Sequence, residues 1–200
     1  MMPQNKTIPT SENFESDQAL WDSFKEGDQA ALSIIYNKHF KQLHKYGVFI
    51  SHDRDLVQDC LQELFCRLWS HRGRIAHVHC VRVYLFKSFH RLLIRQLVDR
   101  RKWIISFPAQ TPFAIMPPFE QTLIEGEVKS EQVIRLQEHI RSLTKGQREV
   151  IFLKFFNDLS YTEISEIMEL QVDSVYNLAS KALDLLRKKF QPQTILTRAA

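Results

Sequence analysis

The side chains best suited to a polyanion lie between Ser174 and Lys181. Ser174, Tyr176, Asn177, Ser180 and Lys181 share the outer side of a helix whose inner side is Val175, Leu178, Ala179, Ala182 and Leu186. Asn177 can read a base edge, Lys181 reaches a guanine edge or a phosphate, and the Ser174 hydroxyl serves either. Arg187, Lys188 and Lys189 follow with further positive charge. A second cationic row, Lys87, Arg91 and Arg95, repeats at i, i+4 and i+8 along another helical segment. A third set is acidic. Asp55, Asp59, Gln62 and Glu63 lie opposite an apolar face of Val57, Leu61, Leu64, Phe65 and Leu68. A solvated helix face has the same composition, so charge spacing by itself names no partner.

Other chemistries find little support. His77, His79 and Cys80, with His71 nearby, offer nitrogen and sulfur ligands. Neighbouring side chains do not converge easily on a four-coordinate zinc and there is no second cluster, so no metal is expected. Cys60, Cys66 and Cys80 are odd in number and form no CxxC pair, the usage of cytosolic thiols. No Ser-His-Asp order, metal-ligand helix or glycine-rich phosphate loop is present, so neither an enzyme, a cofactor nor a small-molecule substrate is expected.

The positioning elements follow from the breakers. The chain of 200 residues has only five glycines, and four of its seven prolines (Pro108, Pro112, Pro117 and Pro118) sit in one stretch. Helices interrupted by a linker have this pattern. Residues 1–16 read as a disordered tail. Leu20, Trp21 and Phe24 mark a short helix closed by Gly27, and Asp28 can cap the next helix. In that helix Leu32, Tyr36, Phe40, Leu43, Gly47 and Ile50 draw one apolar stripe. A third helix starts near Asp53, residues 70–81 read as a loop, and a fourth helix runs from about Val83 to Arg101 with Phe86, Phe89, Leu93 and Leu97 inward. Trp21, Trp69, Phe86 and Phe89 are expected in the core.

Residues 104–128 read as a linker. Val133, Leu136, Ile140 and Leu143 resume a helical face, and a helix is expected over about 145–156. Ser160 and Glu163 form a capping-box pair, so another helix begins at Tyr161 with Ile164, Ile167 and Met168 buried. A turn near Glu169–Gln171 leads to the helix that carries Lys181, whose start at Gln171 or Asp173 stays open. Two short helices joined by a tight turn make a helix-turn-helix, in which the second helix presents its exposed side in the major groove.

Charge is uneven along the chain. Arg82 to Lys102 holds seven basic residues and one acid, Asp99, whereas Glu120 to Glu138 holds five acids against Lys129 and Arg135. Concentrated basic charge suits a nucleic acid, because neutralised phosphates release counterions. The start, MMPQNKTIPTSENF, has no apolar signal core, and no apolar run approaches membrane-spanning length. A cytoplasmic protein without membrane insertion is expected.

The stretch SLTKGQREVIFLKFFNDLSYTEISEIMELQVDSVYNLASKALDLLRKKF resembles sigma-70 family region 4, through Leu143, Gln147, Arg148, Glu149, Val150, Leu153, Glu163, Ile164, Val175, Ala182, Leu183 and Arg187. The segment ALWDSFKEGDQAALSIIYNKHFKQLHKYG resembles the opening of an extracytoplasmic-function sigma factor. DLVQDCLQELFCRLWSHRGRI resembles that family's polymerase-binding helix, with Asp59, Gln62, Glu63, Phe65 and Trp69 in matching positions. VYLFKSFHRLLIRQLVDRRK resembles the helix that handles the −10 element. Both regions occur in the family's order, across residues 19–190. Four positions depart from its pattern: Thr144 replaces a proline, Ser165 an alanine, Tyr176 a basic residue and Arg91 an asparagine.

The resemblance implies an all-α chain of two small domains, region 2 over 17–103 and region 4 over 129–190, with a tail over 191–200. It implies that Asp55, Asp59, Gln62 and Glu63 dock on the clamp helices of core RNA polymerase. Lys87, Arg91 and Arg95 would follow promoter DNA near the −10 element. The loop from His71 to Arg82, with Arg72 and Arg74, would hold the non-template strand and a flipped base. Ser174, Tyr176, Asn177, Ser180 and Lys181 would meet the −35 element. Family members are commonly held by an anti-sigma factor. The competing assignment is a transcription regulator of the response-regulator output type, which shares the helix-turn-helix but needs a receiver or ligand-binding half.

Overall fold

The computed structural model describes residues 16–76, 78–106, 139–140 and 142–190, with side chains left out at 101–106 and 189–190. The expectations for the two tails, for 107–128, for Val133 and Leu136 and for His77 fall outside the described residues. The chain divides into two compact units, Met1–Pro117 and Pro118–Ala200. Every described element is helical.

The first unit contains α1 (Asp17–Glu26), α2 (Gln29–Ser51), α3 (Arg54–His71) and α4 (Val81–Ser106). Side-chain caps start the first three. Ser16 Oγ accepts from the Ala19 amide at 3.1 Å, Asp28 Oδ1 from Ala30 at 2.7 Å and Asp53 Oδ1 from Leu56 at 2.9 Å. Each satisfies an amide that the first turn leaves without a partner. Gly27 closes α1 at φ 102°, a left-handed conformation that a side chain resists. Asp53 also ties two elements together, because its second carboxylate oxygen accepts from Arg100 of α4 at 2.7 Å.

The core is aromatic. Trp21 and Phe24 of α1, Tyr46 of α2 and Phe86 and Phe89 of α4 are fully enclosed. Trp21 lies 4.9 Å from Phe24 and Tyr46 lies 5.3 Å from Phe86, centroid to centroid, in tilted arrangements that favour contact between ring edges and faces. Gly47 lets α2 approach this layer. A Cβ there would sit 2.7 Å from Phe89 Cζ and 2.8 Å from Val57 Cγ1, inside van der Waals contact on two sides. Gly47→Ala is therefore expected to lower stability by about 1–3 kcal/mol in urea denaturation, although alanine is the better helix former.

Three expectations need correction. The inward stripe of α2 is Ala31, Ile34, Ile35, Leu43, Tyr46, Gly47 and Val48, with His39 among them. Tyr36 is exposed, and Leu32, Phe40 and Ile50 are only half-buried. Tyr36 stacks on Phe40 at 4.8 Å and meets Phe65 of α3 edge-on at 4.8 Å, so the aromatics cover the α2–α3 seam and the aliphatics fill the core. The loop after α3 is shorter than 70–81. α3 runs to His71, a 3-10 turn covers Arg72–Arg74, and α4 begins at Val81 and continues to Ser106, beyond Arg101 and into the first residues assigned to the linker. Trp69 is half-buried, its ring covered by Arg72.

His39 is 4% exposed and its Nδ1 has no hydrogen-bond partner among the described residues. Burial pushes its pKa down to about 4; Lys38 and Arg82 press in the same direction and Asp17 opposes them. The unfolded chain takes up this proton near pH 6.5 and the folded chain only near 4, so the contribution is intact above 6.5 and lost as pH falls towards 4. Relative to His39→Leu, the parent is expected to lose about 2 kcal/mol more stability between pH 7 and 4.5, measured by denaturation at each pH. Parallel pH profiles would remove His39 from acid unfolding.

The second unit contains α5 (Lys145–Phe155), α6 (Tyr161–Met168) and α7 (Val172–Phe190). The expected capping box of α6 is present: Ser160 Oγ accepts from the Glu163 amide at 3.2 Å, and Glu163 Oε2 accepts from Ser160 at 2.7 Å. α5 has one too. Thr144 Oγ1 accepts from Gln147, and the Thr144 amide donates to Gln147 Oε1 at 3.0 Å. A proline at 144 has no amide to donate, so this departure from the family pattern is a working cap. Ser165 is buried, with its hydroxyl donated to the Thr162 carbonyl at 2.7 Å, which satisfies it where an alanine is usual. Met168 is only half-buried.

Glu169 ends α6 in the left-handed region at φ 55°. α7 begins at Val172, and the Val175 amide bonds the Gln171 carbonyl, so Asp173 lies in the first turn and is not the cap. Leu143, Ile151 and Ala182 form a core cluster covered by Leu183 and Leu186. α7 packs on both α5 and α6, which braces it from two sides.

Candidate nucleic-acid interface

The α7 face is assembled as the spacing requires. Val175, Ala179 and Ala182 are buried, and Ser174, Tyr176, Asn177, Ser180 and Lys181 are all exposed. Leu178 and Leu186 are half-buried. Asp184 lies 4.0 Å from Arg187 on the exposed surface, at the end of the helix away from Ser174. Tyr176 packs on Tyr161 of α6, with ring centroids 4.2 Å apart. Lys154 of α5 places its ammonium 5.2 Å from the Tyr161 ring and donates to the Leu159 carbonyl at 3.1 Å. Sequence reasoning missed Tyr161 and Lys154, because their link to Tyr176 crosses three helices.

In the first unit α3 and α4 enclose an open groove of about 400 Å³. Its floor is Leu64, Leu68, Ile75 and Leu92, and its polar lining is Arg67, His71, Tyr84, Ser88, Arg91 and Arg95. Apolar lining beside cations and hydroxyls can take an aromatic ring carrying a phosphate. Arg91 and Arg95 are exposed, and Arg95 lies 3.8 Å from Asp99. Lys87 is half-buried and takes no part in the groove. The lining face steps through Tyr84, Ser88, Arg91 and Arg95, one position round from the row Lys87, Arg91 and Arg95. A cation spacing of i+4 passes over Tyr84 and Ser88, which fall at mixed i+3 and i+4 steps, and Arg67 joins the lining from a different helix, α3.

The two loop arginines differ. Arg74 is exposed. Arg72 is half-buried: its guanidinium lies 4.2 Å from the Trp69 ring centroid, donates to the Trp69 carbonyl at 2.7 Å and packs beside Gly27. The cation–π contact fixes Arg72 at the end of α3, and its packing beside Gly27 joins that end to the end of α1. Among the acidic set, Asp55, Asp59 and Gln62 are exposed, and Glu63 is half-buried and ion-paired with Arg67. Cys60 is buried in the same helix, and burial, with Glu63 and Asp59 adding to it, pushes its thiol up to about 11, so it stays a protonated packing group. Among the described residues no three His, Cys, Asp or Glu side chains gather as for a metal.

The family model for sigma-70 region 4 matches residues 134–186, the unit that carries α7. Similarity extends over both units. The RNA polymerase sigma-H factor of Pseudomonas aeruginosa is 22% identical over 191 residues, covering 89% of this chain and 95% of that one. The ECF RNA polymerase sigma-E factor of Escherichia coli is 24% identical over 197 residues, covering 88% and 95%. Over both units the chain is similar to sigma factors of the sigma-70 family, an extracytoplasmic-function factor among them. Sigma factors serve transcription initiation and are not enzymes.

Solved structures agree on the fold. CnrH, in complex with the cytosolic domain of CnrY, has a TM-score of 0.60 at 19% identity over 86% of this chain and 95% of that chain. RpoE of Bartonella quintana, in complex with the anti-sigma factor NepR, has a TM-score of 0.60 at 17% identity over 86% and 99%. Because the relatives match the first unit as well as the second, the response-regulator assignment has no part of this chain left for a receiver half. No described helix is long and apolar enough to cross a membrane.

Proposed function

We propose that the chain acts as a sigma factor, that its first unit docks on core RNA polymerase through α3 and handles the −10 element through α4, and that α7 reads the −35 element. The observation that carries this division is that exposed acids lie on α3 and exposed arginines on the groove face of α4, two helices packed on each other in one unit. A single polyanion does not suit both faces, whereas a protein partner on one and DNA on the other does. Asp55, Asp59 and Gln62 form the polymerase-facing set, with Glu63 contributing while paired to Arg67. Arg91, Arg95 and Arg74 meet promoter phosphates, Lys87 lies beside them, and Arg72 supports the loop from behind. The groove under Arg91 suits a base turned out of the −10 strand. Ser174, Tyr176, Asn177, Ser180 and Lys181 face the −35 major groove.

Region 2 accordingly spans 17–103 and region 4 spans 129–190, and the protein works in the cytoplasm with the polymerase. An anti-sigma factor is the further partner, since CnrH and RpoE are each seen with a binding protein. Phe155 and Phe156, which are 59% and 49% exposed, are apolar surface that such a protein can cover. The test is reconstitution. The chain is expected to co-purify with core polymerase and start transcripts at a promoter selected from genomic DNA. Failure of both would reject the proposal.

A further inference from the structure

We infer that Tyr161 and Tyr176 together form a thymine-selecting element of the −35 interface, held in place by Lys154. The inference rests on the reading of α7 as the −35 helix and deepens it. Tyr176 is the fifth residue of α7, within the N-terminal part that reaches base edges when such a helix enters the major groove. Tyr176 is 52% exposed, yet its ring is oriented against that of Tyr161, 4.2 Å away and tilted by 42°. Tyr161 opens α6, the bracing helix, and is itself backed by the Lys154 ammonium at 5.2 Å. Lys154 is fixed in turn by the Leu159 carbonyl. The row from α5 through α6 to α7 therefore presents a preoriented ring beside Asn177 and Lys181.

A ring and an ammonium select different bases at one position. A lysine or arginine donates to the guanine O6 and N7 acceptors, whereas an apolar surface gains from the C5 methyl of thymine. Tyr176 occupies a position where the resemblance leads one to expect a basic residue. Replacing a mobile cation by a braced ring moves the preference from guanine towards thymine. The Tyr176 hydroxyl stays available to a phosphate or a water, so the ring need not leave its polar atom unpaired.

The experiment uses reconstituted holoenzyme. Wild-type holoenzyme first selects its promoter from a library randomised across the −35 region. Each selected thymine is then replaced by deoxyuridine, which removes only the methyl group. At one position the substitution is expected to weaken promoter binding about fourfold, the equivalent of one lost buried methyl. Tyr176→Ala should abolish that ratio, Tyr176→Phe should keep it, Tyr161→Ala should reduce it, and Tyr176→Lys should shift selection at that position towards guanine. The inference is overturned if no thymine responds to loss of its methyl, or if the ratio persists in Tyr176→Ala. It is also overturned if Tyr176→Ala weakens only holoenzyme assembly or capture by an anti-sigma factor, which would make the pair a protein contact. Lys181→Ala separates the two levels. If it alters selection while Tyr176→Ala does not, only the thymine assignment falls; if neither variant alters any −35 position, the reading of α7 falls too.

Discussion

If α3 docks on core polymerase as proposed, Asp59→Lys combined with Gln62→Lys is expected to weaken binding of this chain to core polymerase on the order of 100-fold, while Glu63→Ala alone has a much smaller effect. Asp59 and Gln62 are both exposed on α3. Asp59→Lys reverses a charge and Gln62→Lys adds one, so together they exchange attraction for repulsion at a complementary interface, at a cost of about 3 kcal/mol, the equivalent of that 100-fold loss. Glu63 is already paired with Arg67 on its own helix. Removing it deletes one interfacial charge but frees Arg67, so part of its effect is a gain of positive charge at the edge of the groove. The measurement is competition for fluorescent core enzyme against the parent chain. Equal affinity of the double variant, with its melting curve unchanged, would place the polymerase contact elsewhere. The loss should shrink as salt rises, because exposed charges are screened beyond about 8–10 Å at physiological ionic strength.

Much of the frame was legible because helices announce their ends. Gly27, Asp28, Asp53 and the Ser160–Glu163 box each carry a local backbone requirement that a few neighbouring residues satisfy. The outward face of α7 was legible for a similar reason: small residues at Val175, Ala179 and Ala182 permit close packing on α5 and α6, and the polar positions fall between them. The α2 stripe misled because hydrophobicity does not say which of two apolar faces is deeper. Tyr36 and Phe40 step by four residues as core residues do, but large rings can lie flat over a seam. The less conspicuous face with Ile34, Ile35 and the neutral His39 carries the packing.

The site was less legible than the frame where the deciding contacts join distant residues. Arg72 and Arg74 are equivalent in sequence, two cations around a glycine. Only the approach of α1, with Gly27 lacking a side chain, gives Arg72 its place over Trp69. The Thr144 cap carries a local signal, a threonine three residues before a glutamine, and it replaces a proline that has no amide to donate. The Tyr161–Tyr176 contact had no comparable signal, since it depends on how α6 and α7 cross.

Arg91→Ala combined with Arg95→Ala is expected to reduce promoter affinity of the holoenzyme about 60-fold at 0.1 M monovalent salt and to flatten its salt dependence by about two units. Each phosphate contact releases close to 0.9 of a condensed counterion, so each contact contributes about eightfold at that salt concentration, and two contribute their product. The exposed Arg95–Asp99 contact is too weak to oppose this: at 3.8 Å and open to water it is worth well under 1 kcal/mol. Lys87→Ala should have a smaller effect, because Lys87 lies half-buried outside the groove. The slope of log affinity against log salt distinguishes the mechanisms. Loss of phosphate contacts lowers both affinity and slope, whereas a damaged base pocket lowers affinity at constant slope. A double variant with the parent slope would show that the α4 arginines do not touch the backbone, and would leave the groove to the unpaired strand alone. Tyr84→Ala supplies the opposite signature, with slope retained and strand opening impaired, because it removes a ring from the groove lining without removing a charge.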